Sequence, residues 1–163
     1  MSSLPISVLI VDDNHHMRTL IREILKSTGI NEILEANDAV EGFEVMRTNT
    51  VDILILDYSM PLIDGVEFIK MIRTGADSPN PFLPIIMLTG HSERGKVFAA
   101  RDAGVTEFMV KPITAKGLMA RLSSVVENQR AFVRSGTYFG PDRRRATPKD
   151  FAGPWRRKTD KND

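Results

Sequence analysis

Two groups of residues in this 163-residue chain have the types and spacing for chemistry. The first is Asp12, Asp13, Asp57, Thr89 and Lys111, each of which ends or directly follows a short apolar run. Carboxylates gathered into one crevice repel each other, which raises their pKa values unless something neutralises them. A hard divalent cation such as Mg2+ does so with oxygen ligands, using one or two carboxylates and keeping some of its waters. An ammonium facing the acids holds a phosphoryl group as a point charge. A carboxylate can be the nucleophile that accepts that group. Paired acids after a strand are by themselves often a solvated turn. Five polar residues at the ends of the right runs are a more specific signal.

The second group lies in the last quarter of the chain. Tyr138-Phe139-Gly140-Pro141-Asp142-Arg143-Arg144 is echoed, 13 residues on, by Phe151-Ala152-Gly153-Pro154-Trp155-Arg156-Arg157. The shared pattern is aromatic-x-Gly-Pro-x-Arg-Arg, and Arg145 extends the first copy. Gly-Pro favours a tight turn, and glycine lets a flat ligand approach the backbone. Arginine pairs bidentately with guanine O6 and N7, clamps phosphates and stacks on bases. The aromatic residue before each Gly-Pro adds a stacking surface. The two copies suit a ligand carrying two guanines and two phosphates.

The elements that must position these residues follow from periodicity. Apolar runs at Ile6–Val11, Ile33–Ala36, Ile53–Leu56, Ile85–Leu88 and Thr106–Val110 read as strands. Between them lie helical patterns. Met17, Leu20, Ile21, Ile24 and Leu25 share one spacing, with Gly29 at its end. Asp38 caps a helix over 39–48 that turns Val40, Phe43 and Met46 inward. Helices are also expected over 66–73 and 93–103. A last one opens at Thr114, carries Leu118, Leu122, Val125, Val126 and Val133 as one stripe, and ends at Ser135-Gly136. This alternation predicts an α/β fold, a doubly wound five-stranded parallel sheet covered on both faces. In such sheets ligands bind at the carboxyl ends of the strands, where the five polar residues fall. The expected division is a domain over 1–127, then the end of the last helix and a largely disordered tail over 128–163.

Composition narrows the classes. At 42% hydrophobic the chain can bury a core, and no apolar run approaches a membrane span. There is no cysteine, which excludes disulfides and thiolate metal sites. With no signal-peptide pattern at the start, a cytoplasmic protein is expected. The formal charge of +1 hides an asymmetry: residues 128–163 are net +6 and residues 1–127 net −5. Either the tail meets an anionic ligand or it folds back on its own acidic domain. His15 and His16 are adjacent, point apart on a helix and lack a third ligand, so they read as surface residues. The tail offers too little apolar mass for a folded DNA-binding output domain, and no DNA contact is expected.

Val11-Asp12-Asp13, Leu56-Asp57-Tyr58-Ser59-Met60-Pro61, Asp64-Gly65, Leu88-Thr89-Gly90 and Val110-Lys111-Pro112 together resemble the receiver domain of response regulators, the CheY-like family, over about residues 5–127. The resemblance implies that Asp57 is the phosphoacceptor. It implies that Asp12, Asp13, Asp57 and the Ser59 backbone carbonyl surround Mg2+, that Lys111 pairs with the phosphoryl oxygens, and that Thr89 follows the phosphoryl group. It makes Phe108 the aromatic switch, and Ser59 and His91 the positions that tune hydrolysis of the acyl phosphate. Phe108 has no hydroxyl needing a buried partner, which predicts activation less dependent on phosphate than with tyrosine. The implied phosphodonor is a sensor histidine kinase or phosphotransfer protein. Aspartate-nucleophile phosphatases carry a second acid two residues after the nucleophile. Ser59 stands there instead, so no enzymatic activity is expected.

The tail, through Arg143, Arg144, Arg145, Arg156 and Arg157 with their Gly-Pro turns, resembles that of the Cle proteins, CheY-like effectors of cyclic di-GMP. That resemblance implies c-di-GMP binding and docking on a flagellar motor switch protein, at the flagellar pole, with effects on motility and attachment. The alternative is a phosphorelay receiver with a passive basic tail.

Overall fold

The computed structural model describes residues 4–90, 97–127 and 131–142. Strands β1 (Leu4–Val11), β2 (Ile30–Ala36), β3 (Ile53–Asp57), β4 (Ile85–Thr89) and β5 (Glu107–Val110) form one parallel sheet in the order β2-β1-β3-β4-β5. Helices α1 (His15–Ser27), α2 (Ala39–Thr48), α3 (Gly65–Thr74), α4 (Val97–Ala103) and α5 (Ala115–Glu127) connect and cover it. The expected doubly wound sheet is therefore present. Every residue of β3 and β4 is buried, because a central parallel strand is covered on both faces.

Two apolar clusters flank the sheet. One joins Leu9, Leu54, Leu56 and Met87 to Phe43, Phe68, Ile69 and Ile72 of α2 and α3. The other joins Val8, Ile10, Ile55 and Ile86 to Ile21 and Leu25 of α1 and Leu118 and Leu122 of α5. Alternate strand residues thus serve opposite layers, as a period of two requires. Side-chain caps fix where four helices begin, Thr114 opening α5 by accepting from the Gly117 N–H at 3.0 Å. Asn14 accepts from the Met17 N–H, Asp38 from the Glu41 N–H and Asp64 from the Glu67 N–H. Gly29, at φ 96°, ends α1 as expected.

Some sequence expectations change. Val40 is 60% exposed, Leu20 43% and Val126 46%, so each lies off the stripe assigned to it. The larger correction concerns the last helix. It ends at Glu127, and the chain then forms an antiparallel hairpin of β6 (Phe132–Ser135) and β7 (Tyr138–Pro141). Val133 is a strand residue, and Ser135-Gly136 begins a hairpin turn instead of ending a helix. Gly136, at φ 58°, heads the two-residue loop Gly136-Thr137, a backbone shape that matches strand twist and suits glycine. Folded structure consequently reaches Asp142, whose N–H donates to the Ala131 carbonyl at 2.7 Å.

The hairpin is fastened to the domain by aromatic packing. The rings of Phe82, Phe132 and Phe139 lie 5.2–5.5 Å apart, centroid to centroid. Arg73 of α3 stacks on Phe132 at 5.0 Å, and Arg134 stacks on Phe139 at 4.5 Å. Arg73 is 3% exposed and donates to the carbonyls of Gly104 and Pro81 at 2.9 and 2.8 Å. Its burial lowers the guanidinium pKa to about 10. Gly140 packs so close to Gly104 that an added Cβ would sit 3.0 Å from the Gly104 Cα.

Candidate phosphoryl-transfer site

Parallel strands end together, so the residues that follow β1, β3, β4 and β5 meet at one edge of the sheet. Asp12 and Asp13 follow β1, Asp57 ends β3, Thr89 ends β4 and Lys111 follows β5. The Lys111 ammonium donates to Asp57 Oδ1 at 2.9 Å, with Asp57 nearly buried. Oxygens of Asp12, Asp13 and Asp57 all lie within 4.8 Å of one another. The backbone locks the edge together. Tyr58 N–H donates to the Leu88 carbonyl, and Lys111 N–H donates to the Thr89 carbonyl at 2.8 Å. The Lys111-Pro112 peptide is cis.

Asp12 is 1% exposed, and burial pushes its carboxyl up to about 6; the Asn14 backbone N–H, 2.8 Å from Oδ1, pulls the other way, and the Asp57 charge raises it further. Its second oxygen, Oδ2, is buried with no hydrogen-bond partner among the described residues. A buried carboxylate oxygen left without a partner is expensive. A cation would remove both this penalty and the repulsion between the acids. The all-oxygen donor set and the charge of the cluster fit Mg2+ in particular. Two arginines brace the strand end from outside: Arg18 donates to the Asp12 carbonyl at 2.6 Å, and Arg18 and Arg22 both pair with Glu35.

Thr89 is fully buried, and its hydroxyl has no partner among the described residues. A poised, unpaired donor beside a carboxylate suits an incoming anionic oxygen. Phe108 is half-buried against the cluster that includes α2 and α3, and its carbonyl accepts from Arg121 Nε at 2.6 Å. Ser59 is exposed on the β3–α3 loop. His15 and His16 are exposed, as expected. His91 lies outside the described residues.

The role of Asp64-Gly65 becomes explicit in three dimensions. Asp64 caps α3, and the Gly65 N–H donates to the Tyr58 carbonyl at 2.9 Å. A Cβ on Gly65 would meet the Asp57 carbonyl oxygen at 2.8 Å and Met87 Cε at 2.7 Å. Glycine there lets α3 start immediately behind the acidic residue. Arg18, Asn14 and Arg73 escaped the sequence reading. Only the N-cap type of Asn14, just before a helical pattern, was visible in advance.

The structure treats the two tail copies differently. Tyr138, Gly140 and Pro141 are in β7, where Gly140 and Pro141 are buried and the Tyr138 hydroxyl donates to the Pro141 carbonyl at 2.6 Å. Packing against the domain thus accounts for Phe139, Gly140 and Pro141 of the first copy. Asp142 is half-buried at its end. Arg143, Arg144, Arg145 and the whole second copy (Phe151, Gly153, Pro154, Trp155, Arg156 and Arg157) lie outside the described residues.

The chain is similar to chemotaxis protein CheY-3 of Vibrio cholerae, with 33% identity over 120 residues that span 74% of this chain and 91% of the relative. The crystal structure of Vibrio cholerae chemotaxis protein CheY4 superposes with a TM-score of 0.67 at 31% identity, covering 74% of this chain and 98% of that one. The receiver domain of the Pseudomonas aeruginosa sensor histidine kinase PA1611, crystallised with a magnesium ion in its active-site cleft, shares the fold. Its TM-score is 0.67 at 23% identity, covering 76% of this chain and 99% of that one. The family model described as the response regulator receiver domain matches residues 8–123. A parallel sheet that gathers three carboxylates, a lysine and a buried threonine at one edge, in a chain so matched, belongs to the response regulator receiver family.

Proposed function

We propose that this chain is a phosphorylation-controlled response regulator whose phosphoacceptor is Asp57. The observation that carries this reading is the Asp57–Lys111 pair, 2.9 Å apart inside a three-carboxylate cluster. Asp12, Asp13, Asp57 and the Ser59 carbonyl would hold Mg2+, which supplies neutralising charge when bound. The magnesium-bearing PA1611 receiver supports that assignment by shared fold. An Asp57 carboxylate oxygen attacks the phosphorus of the donor. The bond from phosphorus to the donor breaks, and its electron pair leaves with the donor. Lys111 exchanges its contact with the carboxylate for one with a phosphoryl oxygen, and the Thr89 hydroxyl donates to another. The donor is a histidine phosphorylated on a sensor kinase or phosphotransfer protein, in the cytoplasm.

The finer part of the proposal concerns output. Arg143–Arg145 and Arg156–Arg157 carry forked guanidinium donors of the type that pairs with guanines and phosphates, so the tail binds c-di-GMP. The complex docks on the flagellar motor switch, which the likeness to chemotaxis proteins supports. Calorimetric titration of c-di-GMP into the full chain tests this. Saturable binding that is lost in Arg143→Ala/Arg144→Ala and in Arg156→Ala/Arg157→Ala is expected; absence of binding by the intact chain would sink it. The packing of the first Gly-Pro copy into the hairpin favours a second reading, a phosphorelay receiver with a passive tail. Truncation after Asp142 separates the two, since only the effector loses function while Asp57 still takes phosphate.

A further inference from the structure

At the end of the sheet away from Asp57, the amino-terminal ends of the strands and the hairpin enclose a groove of about 600 Å³. Pro5, Val51, Phe82, Val126, Phe132 and Pro141 line it, with Asp52 the one charged lining residue among the described residues. It is apolar and open. Phe82 is 57% exposed and Val126 46%, although both are large apolar side chains. Paired exposed apolar groups in one concave surface mark a contact that the described residues do not complete.

We propose that the occupant is the chain's own second aromatic-Gly-Pro copy, Phe151-Ala152-Gly153-Pro154-Trp155, docked in cis with Trp155 in the groove. Three observations on this molecule select that occupant. Chain exit is the first. Pro141 lines the groove, and the described residues end at the next position, Asp142. Phe151 follows Pro141 by ten residues, a stretch that spans up to about 33 Å when extended, ample for a segment to turn back.

The second observation is the behaviour of the first copy. Its Phe139 packs with Phe82 and Phe132, its Gly140 lies against Gly104, and its Pro141 forms part of the groove wall. The same aromatic-Gly-Pro pattern, brought to the adjoining surface, meets the other side of the same rings.

Charge is the third. Asp52 lines the groove and Glu127 follows Val126, whereas residues 143–163 carry eight Lys/Arg against three Asp. Arg156 and Arg157 directly follow Trp155. An apolar anchor followed by cations suits an apolar groove with an acidic margin. Docking in cis also draws the basic tail onto an acidic domain, which lowers the self-repulsion of each part.

Trp155 is the single tryptophan of the chain, so its emission reads the proposal directly. The measurement is acrylamide quenching of the full chain, without nucleotide, beside a synthetic peptide of residues 143–163. Docking gives blue-shifted emission and a quenching constant several-fold below that of the peptide. Val126→Lys, a half-exposed site on α5, is expected to restore peptide-like quenching while leaving the melting midpoint near that of the parent chain. Pro5→Lys, at an exposed lining residue of β1, is expected to do the same. Peptide-like quenching in the parent chain overturns the proposal, as does a shielded Trp155 that ignores both substitutions. Shielding that fades on dilution assigns the groove to the tail of a second copy and overturns docking in cis. Because no nucleotide is present, the outcome is independent of the c-di-GMP reading.

Discussion

Phe139→Ala distinguishes a hairpin that is part of the folded domain from a first repeat copy that is free to bind ligand. Phe139 is 9% exposed and has rings on two sides, Phe82 at 5.4 Å and Phe132 at 5.5 Å, with the Arg134 guanidinium 4.5 Å from its own ring. Truncating a buried phenylalanine in a core costs about 3–5 kcal/mol. Here the neighbouring Phe82 is more than half exposed and can settle into the vacated space, which places the loss near the lower end. The two aromatic contacts and the cation–π contact are part of what is lost. An expected destabilisation of about 3 kcal/mol lowers the melting midpoint of a domain this size by roughly 10 °C. The assay is thermal or urea unfolding followed by circular dichroism, with unfolding checked for two-state behaviour. Because α3 and α4 both contact β7, the whole domain is expected to melt earlier, as one transition. An unchanged midpoint would refute the reasoning and return Phe139 to the free tail.

Other outcomes follow from the site. Asp57→Asn is expected to abolish phosphorylation by a small acyl phosphate in the presence of Mg2+, read by mass; a retained phosphoryl group would place the acceptor elsewhere. Gly65→Val places a side chain 2.8 Å from the Asp57 carbonyl oxygen, so a loss of about 1–3 kcal/mol and impaired phosphorylation are expected together. Stability falling without any effect on phosphorylation would uncouple that glycine from the site. The Asp12 carboxyl is raised to about 6, so the folded, metal-free protein holds a proton that the unfolded chain has already released above about pH 4. Asp12 therefore withdraws stability as pH rises through that window. Mg2+ competes with this proton, and the rise in melting midpoint on adding Mg2+ is expected to grow from pH 5 to about pH 7. A Mg2+ effect flat across this range would exclude Asp12 as a ligand.

Much of the site was legible because a strand-end polar residue keeps its position whatever the loop does. Asp12, Asp57, Thr89 and Lys111 each stand beside an apolar run, and parallel strands bring such ends together. The hairpin was legible too, but was read with the wrong period. Phe132-Val133 and Tyr138-Phe139 are aromatic and β-branched residues on either side of Gly136-Thr137, a strand–turn–strand pattern. Taking Val133 as the next member of the α5 stripe hid it. Spacing also misplaced Val40 and Val126, since a stripe gives a helix face but not how widely a neighbour covers it.

By itself, the sequence determined the alternation of strands and helices, the acidic cluster with its lysine, the absence of thiol chemistry and the repeated aromatic-Gly-Pro-x-Arg-Arg element. These are local properties, set by residue type, period and charge. Tertiary structure decided what the same words do in different places. It spent the first copy's Phe139 and Gly140 on packing against Phe82 and Gly104, residues more than thirty positions away in the chain. It buried Arg73 under Phe132 and left the Thr89 hydroxyl and Asp12 Oδ2 without partners among the described residues. Those outcomes depend on which distant surfaces meet and how closely, and no local pattern carries that information.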